Sequence, residues 1–483
     1  MTAADTETMA PQRRIPGDEP TCRFPQRVVL WTLPFFALLV PLSLVGFYLF
    51  RDDVPVDDRD LIVEACVISP EENGWPLLKD AAGRCQWPEP FRSARDWEEE
   101  PNAYKRAEEM VDGIGWYPEL AEKLLRKNEE TLRLFDETSR LPKLQWRAGT
   151  RGSNRDFSSY HMRRLVNLVC VRAFAFERQG DVERAFENGM YVVRLGRKIG
   201  KNSDDWLRSG ASAIESRGMQ VLRALLRRQR TYACELKGYS EELLAGVVGP
   251  GDVTAMVRRD YAASLEFVRE FEAAAAELDP DSMYAAMQAA ATQLGAATQR
   301  SVSSIVARRV PAAWRHRVFF LPNATNLLLA KRARGEIRNA GRPVKEWEAV
   351  ESMPHAWDGL GGWLRFLPIR NGIGKFAFGR TSRSGWKTGV PLRVEALLLG
   401  TWIAVECQRA QQGQLPASLE ELVPRHLAAV PLDPYDGEPL RYSHETGVLY
   451  SVGEDFIDSG GSTRPDWRYT VWDASEPTLR VDG

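Results

Sequence analysis

The sequence has no C-x-x-C pair among its six cysteines, no H-E-x-x-H among its five histidines, and no excess of charge of either sign. Each absence excludes a class of protein. Cysteines 22, 66, 85, 170, 234 and 407 are too dispersed, and too far from any histidine, to form a local zinc knuckle. With 64 Lys plus Arg against 66 Asp plus Glu there is no overall field to attract nucleic acid, so no nucleic-acid partner is expected. The stretch RNGIGKF (370–376) lacks the spacing and the closing Ser/Thr of a phosphate loop. In SGWKTG (384–389) the S-x-x-K and K-T-G patterns share Lys387, whereas a serine acyltransferase needs them on two separate segments, and no S-D-N follows. His161, His316, His355, His426 and His444 are scattered, and carboxylate pairs are too numerous to single one out. No catalytic and no cofactor-binding residue is therefore assigned, and an enzyme is the less favoured reading.

What is present is one long uncharged run. Residues 28–50, VVLWTLPFFALLVPLSLVGFYLF, would reach roughly 35 Å as a helix, enough for a hydrocarbon core of about 30 Å. Pro34 and Pro41 are tolerated in a membrane span, and Trp31 and Tyr48 stand near its ends as interface anchors. A cleaved signal peptide would have a shorter apolar region ending in small residues, whereas this run ends GFYLFRDD, so retention is expected. Arg13, Arg14, Arg23 and Arg27 precede the run and Arg51 and Arg59 follow it, among Asp52, Asp53, Asp57, Asp58 and Asp60. Lys/Arg bias then places the N-terminus in the cytoplasm. The expectation is a single-pass protein of the bacterial inner (cytoplasmic) membrane, with residues 1–27 cytoplasmic, 28–50 in the lipid bilayer, and the bulk extracytoplasmic, in the periplasm of a Gram-negative cell. In that compartment Cys66 and Cys85 can pair or remain buried thiols, and the sequence leaves both open.

Residues 51–340 read as a helical domain. Leu120, Leu124, Leu125, Leu132 and Phe135 fall at helical spacing after a break at Gly113 to Pro118. Next, Met162, Leu165, Val166, Val169, Ala173 and Phe176 line one helix and Val182, Ala185, Phe186, Met190, Val193 and Leu195 another. The Gly180-Asp181 turn between them predicts an antiparallel pair. This pair resembles one tetratricopeptide unit, with Ala175, Gly180 and Ala185 where small residues let such helices approach, although no second copy is in register. A single hairpin inside a larger bundle is the simpler reading. Further helices are predicted at Trp206–Arg228, Asp252–Leu278, Pro280–Ala307 and Ala324–Ala340. Residues 341–389 are irregular, with Trp347, Trp357, Trp363 and Trp386 among Gly and Pro. Such a segment either wraps the bundle, the favoured reading, or lines a ligand pocket.

Residues 390–483 read as a small α+β module. Val394, Leu397, Leu398, Trp402, Val405 and Ala410 form a helical stripe, and Pro416-Ala417-Ser418 opens a shorter helix to Leu422. A turn at Asp433-Pro434 leads to strands at PLRYS and VLYSV joined by a turn at Glu445 to Gly447. The fold class is thus mainly α, with a transmembrane helix, an extracytoplasmic helical bundle, and a C-terminal α+β module carrying a β-hairpin.

Two phrases, GQLPASLEELVPRHLAAVPLDPYDGEPLRY and YSVGEDFIDSGG, preceded by a helix, resemble the C-terminal part of the major pseudopilin of type II secretion systems over about ninety residues. The longer order of anchor, helical body and module resembles membrane-anchored proteins of planctomycete and verrucomicrobial bacteria. The membrane run has neither a glutamate nor a Gly followed by Phe-Thr, so the likeness to a pilin subunit stops at the module. The resemblance implies a calcium site in the last loop, at Asp455 and Asp458. Read from the residues alone, those two carboxylates, and more strongly Asp433 and Asp436, cap their own turns. The function expected is a structural or protein-interaction role at the envelope, tied to assembly of a secretion or surface apparatus, with protein partners. The alternative is an envelope hydrolase whose site is assembled from residues remote in sequence.

Overall fold

The computed structural model describes residues 51–62, 69, 71–88, 102–144, 159–201, 205–246, 249–276, 321–348, 389–461 and 478–480, with Leu39, Val40 and Ser43. Cys66, the helix expected at Pro280–Ala307, and Trp357, Trp363 and Trp386 lie outside these residues. Of the run 28–50 only Leu39, Val40 and Ser43 are described, and they are helical. Among the described residues no helix is long and apolar enough to cross a membrane.

The chain is mainly helical. Helices α1 (Trp75–Arg84), α2 (Ala103–Val111), α3 (Pro118–Lys127) and α4 (Glu129–Arg140) lead to a long hairpin, α5 (Ser159–Arg178) and α6 (Val182–Lys201). After α7 (Asp205–Arg228), a 3-10 helix at Arg230–Leu236 runs into α8 (Lys237–Ala245). Then come α9 (Pro250–Ala276), α10 (Pro322–Asn339) and α11 (Gly389–Gln412), followed by a 3-10 turn at Leu419–Leu422. Strands β1 (Arg441–Ser443), β2 (Val448–Tyr450) and β3 (Thr478–Arg480) form one antiparallel sheet in that order. The expected hairpin is β1–β2, with Arg441 opposite Tyr450, while β3 is a third strand that the sequence pattern did not reveal.

One apparent helix in the sequence is two. The pattern from Leu120 to Phe135 breaks at Asn128, which is buried and turns its side chain onto neighbouring backbone. Its Oδ1 accepts from Gln86 N at 2.7 Å, and its Nδ2 donates to Gln86 O at 2.8 Å and Leu124 O at 2.9 Å. An asparagine offered such partners competes with the helical ladder.

The α5–α6 hairpin forms as expected. Gly180 adopts φ +82°, and Asp181 N closes the end of α5 on Phe176 O at 2.9 Å. The tightest packing is between α6 and α7, where glycines replace side chains. A Cβ on Gly196 would lie 2.6 Å from Glu215 N, and one on Gly218 would lie 2.6 Å from Val193 N. The two backbones approach there because no side chain intervenes.

The main core does not stop at residue 389. Burial around α11 runs without interruption from Ala396 to Gln408, Thr401, Glu406 and Gln408 included, so this stretch has no solvent-facing side, whereas Ala410, expected on its stripe, is exposed. A helix buried all round belongs at the centre of a fold. Accordingly α11 lies among α7, the 230–236 turn and α8 on one side and the β-sheet on the other. Trp402 is fully buried, and removal of an indole of roughly 200 Å² from water contributes about 5 kcal/mol before the loss of conformational entropy. Gly400 meets α8 closely, and Ser240 Oγ donates to its carbonyl at 2.7 Å. Cys234 and Cys407 form a disulfide that joins the 230–236 turn to α11 across 173 positions. Cys85 and Cys170 are free and buried, and burial pushes each thiol up to about 12.

A smaller, second core holds α9 against α10. Val253, Val257, Tyr261, Val268, Leu329, Ala330 and Ala333 meet there, together with Leu61 from the strap 51–62. At the far end of α10 the chain turns over the main body. Val344 N and Lys345 N donate to the carbonyls of Pro434 and Tyr435 at 3.0 and 2.9 Å, and Trp347 packs on the main core. Residues 341–348 thus lie against the turn at Pro434-Tyr435, and the rest of the 341–389 segment, with its expected wrapping of the bundle, lies outside the described residues.

Candidate functional site

Asp433, Asp436 and Asp458 converge on Arg441. The turn that begins at Asp433 is closed by Asp433 N on Glu438 O at 2.7 Å and Gly437 N on Asp433 O at 2.8 Å. Gly437 adopts φ +80° with Pro343 packed against it, where a Cβ would lie 2.6 Å from the proline ring. The Asp433 side chain is fully buried. Its Oδ1 accepts from Tyr435 N at 3.0 Å and Ser451 Oγ at 2.9 Å, and its Oδ2 from Val452 N at 2.9 Å and Arg441 Nη1 at 3.3 Å. Burial raises the pKa of this carboxyl, and the backbone and hydroxyl donors work against that rise.

Arg441 carries the opposite charge for the whole cluster. It forms a two-pronged pair with Asp436, and its Nε stands 3.8 Å from Asp458 Oδ2. Hydrogen bonding to Asp436 raises the guanidinium further above its usual value. Burial of Asp436 is outweighed by its bonds from Arg441 and Glu438 N, which keep it below the usual carboxylate range.

The two residues singled out for calcium occupy different positions. Asp458 belongs to the Arg441 cluster, and its Oδ1 accepts from Tyr450 OH and Gly460 N, both at 3.0 Å. Asp455 stays on the neighbouring turn, with Oδ1 accepting from its own Ile457 N at 3.1 Å. Among the described residues no group of three His, Cys, Asp or Glu side chains is arranged to hold a metal ion. Between the two acids, Phe456 is held at φ +59°, an uncommon conformation for a bulky residue, and Phe456 and Ile457 are exposed.

A second concentration of charge lies on the strap. Asp52 accepts from Asn323 N at 2.9 Å and Ala324 N at 3.0 Å, which caps α10 where the local N-cap residue, Leu321, has no side chain to do so. Tyr261 OH donates to Asp58 at 2.7 Å. Arg334 grips both oxygens of Asp60 at 2.7 and 2.9 Å and reaches the carbonyl of Asp57. In the sequence these acids counted only as flanking charge. Their partners lie some 200 to 270 positions away, and no local signal points to them.

Two serine hydroxyls donate to carboxylates, Ser451 to Asp433 and Ser216 to Glu395 at 3.1 Å, and the described histidines stand apart from both. His444 Nδ1 lies 2.9 Å from Pro416 O, His426 is buried with Nε2 unpartnered, and His161 lies beside Tyr160. No protein-family model, no curated protein and no solved structure matches this chain.

Proposed function

We propose that this protein is a single-pass, membrane-anchored envelope scaffold whose extracytoplasmic body binds other proteins, with a role in assembling a secretion or surface apparatus. The observation that carries the compartment is the Cys234–Cys407 disulfide, which joins two elements of the main core. Such bonds persist in oxidising compartments and are rare where thiols are kept reduced. The apolar run 28–50 supplies the anchor, and its flanking arginines supply the orientation.

The scaffold role is supported by how polar groups are used. The charged clusters of the described residues are spent on holding elements together: Arg441 on its three acids, Arg334 on the strap, and Arg223 on Glu395 at 3.0 Å. The pseudopilin-like module presents Phe456 and Ile457 on its last loop, and exposed apolar side chains suit recognition of a protein surface. The calcium implied at Asp455 and Asp458 would meet Arg441 at Asp458, and we infer that the guanidinium takes the cation's place.

The test is protease access in intact spheroplasts combined with alkaline washing of membranes. Protein that stays in the washed membrane and loses its C-terminal tag to external protease supports the reading. A tag protected until lysis, or recovery in the soluble fraction, overturns it. Crosslinking in whole cells should then recover components of a secretion or surface apparatus, and recovery of none removes the assembly role.

A further inference from the structure

The cap that Asp52 places on α10 ties the residues that follow the apolar run to one end of that helix. Asp52 is two residues beyond Phe50, the last residue of the apolar run, so it lies within about 7 Å of the point where that run ends. Its two bonds to Asn323 N and Ala324 N bring the N-terminus of α10 to the same place. From there the strap follows α10 in the same direction, since Asp57 and Asp60 are held by Arg334, eleven residues further along the helix. Leu61 then enters the second core and secures the strap from its other end. At the opposite end of α10, Asn339 exchanges two 2.9 Å hydrogen bonds with Glu348, and residues 344 and 345 join the Pro434-Tyr435 turn.

The geometry points to α10 as a post that stands on the membrane surface, with its first turn at the lipid headgroups and the Arg441 cluster carried at its other end. Eighteen residues of helix span about 27 Å, so that is the separation it sets. This inference rests on the reading of 28–50 as a membrane anchor. Exposed Val54 is the near marker on the strap, partly exposed Asn323 is the near marker on the post, and exposed Arg338 is the far one.

The test uses the full chain in vesicles of phosphatidylethanolamine and phosphatidylglycerol, with a photo-crosslinking amino acid in place of Val54, Asn323 or Arg338 and lipid adducts read by mass spectrometry. Adducts at positions 54 and 323 and none at 338 are expected. In the Asp52→Ala protein the adduct at 323 should be lost while that at 54 persists, with an unchanged far-UV spectrum as the control for folding. Adducts at 54 but not 323 overturn the post while leaving the anchor standing. Equal adducts at 323 and 338 mean that the helix lies flat, which also overturns it. Failure of every variant to remain with alkali-washed vesicles defeats the anchor itself, and the post with it.

Discussion

Arg441 Nη1 stands 3.3 Å from an Asp433 carboxylate that has no exposure to solvent. The two residues are eight positions apart, and the strand that begins at Arg441 returns the guanidinium onto the turn that begins at Asp433. The sheet and the turn are therefore held by one charge, whose removal strands a buried anion.

Arg441→Ala should destabilise the protein by about 3–5 kcal/mol, the range for breaking a buried pair from one side. Arg441→Lys should recover only part of this, because an ammonium cannot reproduce the fork that grips Asp436. Urea denaturation measures both, and a loss below about 1 kcal/mol for the alanine variant would show that the cluster is not structural.

Calcium should leave the melting temperature unchanged, with chelator and with excess calcium giving superimposable transitions. Arg441 already stands 3.8 Å from Asp458, where it would repel a cation, and Asp455 is engaged with its own turn. An upward shift that Asp455→Asn abolishes would restore the loop as a calcium site.

Reduction should weaken the fold substantially. Closing a loop of this length limits the unfolded chain by about 5 kcal/mol on the loop-entropy estimate, which is an upper figure. Cys234→Ser and Cys407→Ser should each match the reduced protein, and a non-reducing gel should show faster migration of the wild type alone. Equal stability with and without reductant would exclude the bond.

His426 should make stability fall in mild acid. Burial lowers its pKa from the ordinary 6.5, and the nearby charges of Arg425 and Lys237 lower it further. The unfolded chain therefore binds the proton more readily, so this contribution is complete above pH 6.5 and is lost as the pH falls toward the folded value. Comparing urea midpoints at several pH values, His426→Gln should flatten this part of the profile; an unchanged slope assigns the effect to other groups.

Two glycines in α6 and α7 should respond with opposite signs to the same change. Gly196→Ala forces a methyl into the backbone of Glu215 and Ala211, at a cost of about 3 kcal/mol. Gly210→Ala meets nothing within 4 Å and should stabilise by about 1 kcal/mol. Thermal melts of the two variants check the crossing of α6 and α7 directly, and movement in the same direction refutes it.

Much of the helical body was legible because its order is local. Apolar spacing marks α5, α6, α7 and α9, and Gly180 marks the turn between α5 and α6. The β1–β2 hairpin was equally plain, since a Gly-containing turn separates two short alternating strands. What the sequence concealed is long-range pairing. Cys234 with Cys407, Asp52 with the amides of α10, and Arg334 with Asp60 join positions 173 to 274 residues apart, and nothing in either neighbourhood announces the partner. In the candidate site, Asp455 and Asp458 were singled out by the resemblance of their loop, whereas Arg441 was not singled out at all. A charge between Leu440 and Tyr442 reads as the solvent side of a strand, and only the turn folded above it makes it an inward group.

Because α11 is buried from Ala396 to Gln408, the piece that completes the middle of the molecule is synthesised after the helices that pack on it. Nearly four hundred residues precede it, and the helices that bury Trp402 in the finished fold are made before Trp402 is. A chain cut short before Gly389 would lack the helix on which α7, the 230–236 turn and α8 pack, and would leave their apolar faces uncovered.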